Sequence, residues 1–305
     1  MSLKPVVSIV TPTWNRAQLL PRVWASLQSQ TEQNFEWIVV DDGSTDNTRE
    51  TVAGFADSRI RYLWQENAGV NGARNRGDRE IQAEYVVYLD SDDEFYGPDT
   101  LSMMLAEIRA TRPEIGWVAF TVVDEDGNRC QCKLDADRLE VGYLDQVCEQ
   151  VFHGEFLSIY RSDVRNLAPW PPYNGLEALR HWRIAKTRPA LIVNRPARIY
   201  HRNGGDNLTG ARSLVRRSKE MAQALQDLIG EHEAAWQQGC PSQIGKYRFY
   251  RAMYLALSAP AWRALPDLCQ ALFRGRGAVR RKALFLGVSL LLPLSVRQRL
   301  FVMRA

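Results

Sequence analysis

Four short strand-like runs punctuate the first 90 residues, at 6–10, 35–40, 59–64 and 85–89, and between them the hydrophobic spacing changes to that of a helix. Leu19, Leu20, Val23, Trp24 and Leu27 recur at helical intervals, Val52 and Phe55 mark a second helix, and Ala73 and Gly77 lie on the inward face of a third at 71–82. The first run is continuously apolar rather than alternating, as a strand covered on both faces requires. A chain that repeats strand, helix, strand in this way must carry each return across the sheet, so it predicts a mainly parallel sheet flanked by helices. Such a sheet collects its polar loops along one rim, beyond the carboxyl ends of the strands, and there α/β sheets bind ligands.

Four polar segments fall at that rim: 11–16, 41–44, 67–77 and 90–93. Asp41-Asp42-Gly43-Ser44 has the chemistry of a capped turn. Asp90-Ser91-Asp92-Asp93 demands more, because three carboxylates within four residues repel one another at the end of a buried strand. A divalent cation relieves that repulsion. Mg²⁺ and Mn²⁺ take oxygen ligands, usually one or two carboxylates with substrate phosphates completing the shell, so the cluster points to a diphosphate-bearing ligand.

In order and spacing, VSIVTPTWNR at 7–16, IVVDDGSTDNT at 38–48, NAGVNGARNRG at 67–77 and YLDSDDEF at 88–95 resemble the family 2 glycosyltransferases of bacterial polysaccharide and lipopolysaccharide synthesis. The resemblance covers roughly residues 1–205 and implies the GT-A fold, an α/β architecture. It places Thr11, Pro12 and Asn15 against a nucleotide, Asp41 on its base, usually uracil, and Gly69, Arg74 and Asn75 in the segment that closes around it. Asp90 would face the ribose with Ser91 beside it, and Asp92 would hold a Mn²⁺ or Mg²⁺ ion bridging the diphosphate. In the family a Glu-Asp pair precedes a helix ending Arg-Ile-Ala; aligning Arg183-Ile184-Ala185 puts Glu177 at the second acid, the general base, with Leu176 replacing the first. Asp163 and Asp206 are the next candidates for that role, and His201 is a further candidate metal ligand. The 203–207 loop resembles one that closes over the donor, and Trp170-Pro171-Pro172-Tyr173 reads either as an acceptor platform or as a rigid connection.

The activity so implied is inverting transfer of a hexosyl or N-acetylhexosaminyl group from a nucleotide sugar, a UDP-sugar, to a hydroxyl of a saccharide or lipid-linked acceptor. The alternative is a catalytically silent module of the same fold that binds nucleotide or tethers partners at a membrane. A nucleotidyltransferase is disfavoured, since 11–16 lacks a glycine-rich phosphate loop.

Charge divides the chain. Residues 246–305 hold 12 Lys/Arg and one acid, Asp267, whereas residues 1–245 hold 27 basic and 34 acidic residues. From 211 to 305 the pattern is helical, so the reading is a 1–210 transferase domain and a basic, helical 211–305 region. Arg274, Arg276, Arg280, Arg281 and Lys282 precede an apolar run at 283–294 that is too short to span a bilayer. This suits either an anionic membrane surface or packing on the acidic body; no nucleic-acid-binding module accompanies the charge. Five cysteines show no disulfide framework and the N-terminus no signal-peptide core, so the sequence predicts a cytoplasmic protein, peripheral on a membrane if the tail binds lipid.

Overall fold

A computed structural model describes residues 4–130, 134, 136–149, 154–201 and 211–304. The chain forms two compact units, one comprising Met1–Gln146 and Gln150–Asn203, the other Val147–Glu149 and Gly204–Ala305.

In the first unit β1 (Val7–Thr13), β2 (Phe35–Asp41), β3 (Ile60–Trp64) and β4 (Tyr85–Tyr88) lie in the order β3-β2-β1-β4, all parallel. The returns pass through α1 (Leu20–Gln28), α2 (Thr48–Gly54) and α3 (Gly69–Asp78). Successive strand residues go to opposite faces. Ile9, Trp37 and Val39 join one core, built around Trp24 stacked on Trp37, while Val10, Ile38 and Val40 join another with Trp117, Tyr160 and Trp170. Helix α3 lies close on the second face because its contact residues are small. Ala73 is fully buried, and a Cβ on Gly77 would come within 2.5 Å of Val10 Cγ1.

Beyond β4 the sheet becomes mixed, which departs from the mainly parallel expectation. The later elements are β5 (Glu94–Phe95), α4 (Thr100–Ala110), β6 (Trp117–Asp124), β7 (Arg138–Val141), β8 (Phe156–Arg161), α5 (Ala178–Ala185) and β9 (Ala190–Tyr200). The full order is β3-β2-β1-β4-β8-β6-β9-β5, with β7 also on β9. Strand β8 inserts antiparallel between β4 and β6. The long strand β9 pairs with β6 in a register that shifts on either side of Pro196, a residue that cannot donate to the ladder.

The second unit is helical, as read: α6 (Ala211–Arg216), α7 (Ser218–Gly239), α8 (Ser242–Ser258), α9 (Leu265–Arg274), α10 (Ala278–Ser289) and α11 (Leu294–Arg304). A Cβ on Gly245 would lie 2.3 Å from Gly275 N, so the α8 backbone can approach the end of α9 only with glycine there. Cys148 and Cys240, 92 residues apart, form a disulfide, flanked by Trp236 Nε1 donating to Val147 O at 3.0 Å and Gln243 Nε2 donating to Cys148 O at 2.6 Å. The cysteine spacing had not shown this pair, and reducing compartments rarely keep such a bond.

Candidate active site

The rim loops are held to one another by backbone and carboxylate hydrogen bonds. After β1, Asn15 takes a left-handed conformation (φ 51°); its Oδ1 accepts from Thr45 N at 2.7 Å and its N–H donates to Ser44 Oγ at 2.9 Å. At the end of β2, the buried Asp41 accepts from Ser44 N at 2.8 Å and from Tyr62 OH at 2.5 Å. Burial, reinforced by the hydrogen bond to the Asp41 carboxylate, pushes the Tyr62 phenol up to about 12. Sequence reasoning missed Tyr62, which β3 delivers to Asp41 from another strand. It also read Asp42 as a turn residue only. The Asp42 carboxylate receives Gln65 Nε2 at 2.6 Å, Ala68 N at 2.8 Å and Gly69 N at 2.8 Å, so it shapes the third loop.

Thr11 and Pro12 sit near the end of β1. Both are buried, and Thr11 Oγ1 accepts from Trp37 Nε1 at 2.9 Å, which turns it into the core rather than toward the rim. Gly69 holds φ 78°, and a Cβ there would lie 2.7 Å from Asn174 Nδ2, so a bare backbone is required. Asn75 has its side chain engaged within the protein. Its amide donates to Trp170 O and accepts from Trp170 N, each at 2.9 Å, and so clamps the segment that leads to α5. Asn71 Nδ2 adds a bond to Tyr173 O at 2.8 Å. Residues 170–173 are thus a braced connection, with Trp170 buried under the Arg74 guanidinium, 4.6 Å from its ring.

Arg74 is the hub of the site. Its Nη2 donates to Asp90 Oδ1 at 2.8 Å, and its Nη1 reaches Asn71 Oδ1 at 3.2 Å and Glu177 Oε1 at 3.8 Å. Helix α3 carries the arginine, Asp90 lies in the turn after β4, and α5 begins just after Glu177; one cation therefore joins three separate parts of the fold. Glu177 is partly exposed and accepts from Gly175 N at 3.1 Å. Burial opposes charge on Asp90, but Arg74 and Arg198 outweigh it and hold the carboxyl below the usual range.

The other two carboxylates have their own cations. Arg16 Nη1 meets Asp92 Oδ2 at 2.5 Å, and Arg22 donates to the Asp92 carbonyl. Asp93 is buried against Arg198 Nη1 at 2.8 Å, and Arg198 Nη2 also meets Glu155 at 2.7 Å. Burial and the carboxylates of Asp90, Asp92 and Glu155 push Asp93 up to about 7 against the pull of Arg198. Ser91 is buried within this turn. His201, the further candidate ligand, lies between two carboxylates: Nε2 faces Glu94 Oε1 at 2.8 Å and Nδ1 faces Glu125 Oε1 at 2.5 Å. Asp163 pairs with Arg188 at 2.9 Å, and Asp206 with the 203–207 loop lies outside the described residues.

One turn after Glu177, His181 Nε2 bonds Tyr160 OH at 2.7 Å; burial, with the charges of Arg180 and Arg74, pushes the imidazole down to about 3. Asp93 and His181 therefore act on stability in opposite senses. The folded state holds the Asp93 proton beyond the unfolded value of 3.8, so stability falls as pH rises from about 4 to about 7. The folded state refuses the His181 proton, so stability falls as pH drops from 6.5 toward 3. Urea midpoints against pH are expected to lose the first slope in Asp93→Asn and the second in His181→Gln; slopes unchanged by either substitution would refute the assignment.

Comparison with known proteins agrees with this architecture. Residues 8–150 match the family model described as Glycosyl transferase family 2. The chain is 28% identical over 214 residues, 67% of either protein, to a GalNAc(5)-diNAcBac-PP-undecaprenol beta-1,3-glucosyltransferase of Campylobacter jejuni. Against other curated glycosyltransferases at 34% and 43% identity, it spans only 20% and 25% of their length. Among solved structures, Staphylococcus aureus TarS 1-349 in complex with UDP-GlcNAc superposes with TM-score 0.58 at 15% identity, covering 93% of this chain and 90% of that one. The mannosyltransferase PcManGT of Pyrobaculum calidifontis, in complex with GDP-Man and Mn²⁺, gives 0.53 at 21% identity, covering 99% and 84%. Residues 8–150 thus resemble glycosyl transferase family 2, on a GT-A fold.

Proposed function

We propose that the chain transfers a sugar, with inversion, from a nucleoside-diphosphate sugar to a hydroxyl of a saccharide or lipid-linked acceptor at a membrane surface. The observation that carries this reading is the single guanidinium of Arg74 set between Asp90, in the carboxylate turn after β4, and Glu177, at the start of α5. A donor diphosphate needs cations and carboxylates on one side, and an incoming hydroxyl needs a base on the other. Arg74 links the two sides.

The carboxylates fit a divalent metal. Asp92 gives one oxygen to Arg16 and Asp90 one to Arg74, and both side chains are partly exposed, so each has a second oxygen for a cation. One or two carboxylates with phosphate oxygens form the usual Mg²⁺ or Mn²⁺ shell. When bound, that ion supplies Lewis-acid stabilisation of the departing nucleoside diphosphate. The residues of the chain do the rest. Asp41, oriented by Ser44 and Tyr62, can accept an N–H from the base, and a uracil ring offers one there. Arg74 adds fixed positive charge near the phosphates. Glu177 takes the proton of the attacking hydroxyl, and attack from the face opposite the leaving group inverts the anomeric centre.

A thermal-shift series tests the reading directly. UDP and UDP-sugars with Mn²⁺ are expected to raise Tm by a few degrees, since a ligand at about 100 times its Kd stabilises by about 2.7 kcal/mol. The Mn²⁺-dependent part should disappear in Asp92→Ala. A shift with GDP-sugars alone would reassign the base, and no shift with any nucleotide sugar would leave only the silent module.

A further inference from the structure

Helix α10 is apolar on two opposite faces. Ala283 and Leu290 are buried in the core of the helical unit, with Val279 and Leu286 packed beside them. Leu284 and Val288, and Leu291 just past the helix end, occupy the other face at helical spacing and are exposed by 59%, 68% and 86%. Phe273, at the end of α9, is exposed by 82%. A helix with apolar residues on two faces needs a second apolar environment, since the core covers only one of them.

Charge identifies that environment. The single acid of residues 246–305, Asp267, is buried between Arg248 and Arg251, paired at 3.0 Å with the first and more closely still with the second. It therefore neutralises nothing at the surface. Arg276, Arg281 and Lys282 are exposed around the start of α10, and Arg280, exposed as well, spends its guanidinium on the α9 carbonyls of Leu272 and Phe273. A second copy of the chain would bring these cations against their own counterparts across a two-fold axis, which like charge opposes. An anionic lipid surface meets both requirements: acyl chains for the leucine and valine face, headgroup phosphates for the cations above it. Among the described residues no helix is long and apolar enough to cross a membrane, so the mode is lying on the surface rather than spanning it.

We infer that α10 is an interfacial anchor that docks the protein on an anionic bilayer through Leu284, Val288 and Leu291, with Arg276, Arg281 and Lys282 on the headgroups. The anchor stands on its own observations and does not depend on the transfer reaction.

Flotation of the full chain with vesicles of phosphatidylcholine, or of phosphatidylcholine with about 30% phosphatidylglycerol, tests it. The protein is expected to float with the anionic vesicles only. The combined variant Arg276→Gln, Arg281→Gln, Lys282→Gln should weaken binding on the order of a hundredfold, and Leu284→Ser, Val288→Ser, Leu291→Ser should abolish stable flotation. The substituted positions are exposed, and an unchanged Mn²⁺–UDP thermal shift in each variant would show that fold and donor site are intact. Three results would overturn the anchor: wild-type protein that stays unbound on anionic vesicles, a serine variant that floats like wild type, or a lipid-free dimer that the serine variant converts to monomer.

Discussion

Glu177→Gln is expected to lower kcat by about 10²- to 10⁴-fold, the usual contribution of a positioned general base, with donor affinity unchanged. The substitution keeps the side-chain shape and an oxygen for Gly175 N, which reaches Glu177 Oε1 at 3.1 Å in the native chain. It removes the negative charge that takes up a proton. Arg74 loses one of two carboxylate partners but keeps Asp90 at 2.8 Å, the shorter of its two pairs. Nucleotide binding, which falls on the Asp90 side, should therefore survive. Initial rates with varied donor separate the two effects: a fall in kcat at constant donor KM and constant UDP affinity supports the base. A Gln variant with wild-type kcat would move the role to another carboxylate, and a proportional loss of UDP affinity would make Glu177 part of the donor site.

The largest effect on stability is expected from Arg198→Ala, which should destabilise the first unit by about 3–5 kcal/mol, the loss seen when one member of a buried ion pair is removed. Asp93 and Arg198 are both buried and meet at 2.8 Å. Without the guanidinium, Asp93, already pushed up to about 7, would be driven to take up a proton beside Asp90 and Asp92, and Glu155 would lose Arg198 as well. Removing both charges is a different experiment: Asp93→Asn with Arg198→Met leaves no isolated ion and should recover much of the loss. Urea unfolding of the two variants measures the difference. A single variant within about 0.5 kcal/mol of wild type, the range of ordinary surface substitutions, would show that Asp93 finds other compensation and that the pair does not brace the carboxylate turn.

The parts of this site that could be read from the sequence share one physical property: their partners are close in the chain or their pattern is periodic. The strands β1, β2 and β4 are short runs dominated by apolar residues, so burial on both faces leaves its mark in the composition of each run. Gly77 and Ala73 were legible for the same reason, since a helix lying against Val10 admits only small residues. The clustered carboxylates at Asp90, Asp92 and Asp93 stand out because their repulsion is local. Strand β8 was not legible: it pairs with β4, more than 65 residues earlier, and six residues of FLSIYR carry no signal of where they will insert.

Which residue serves which partner is a different kind of information. Thr11 and Asn75 stand within motifs that suggest a nucleotide, yet Trp37 takes the hydroxyl of one and the Trp170 backbone takes the amide of the other. Tyr62, Arg16 and Arg198 reach Asp41, Asp92 and Asp93 from separate elements. Hydrophobic spacing and local charge act over a few residues, and they sufficed for the parallel half of the sheet, the rim on which the polar loops gather and the basic, helical end of the chain. Folding is what sets Arg74 between Asp90 and Glu177, brings Cys148 to Cys240 and leaves the outer face of α10 uncovered. Hydrogen bonds and ion pairs act over about 3 Å, and folding alone sets that distance between residues far apart in the chain.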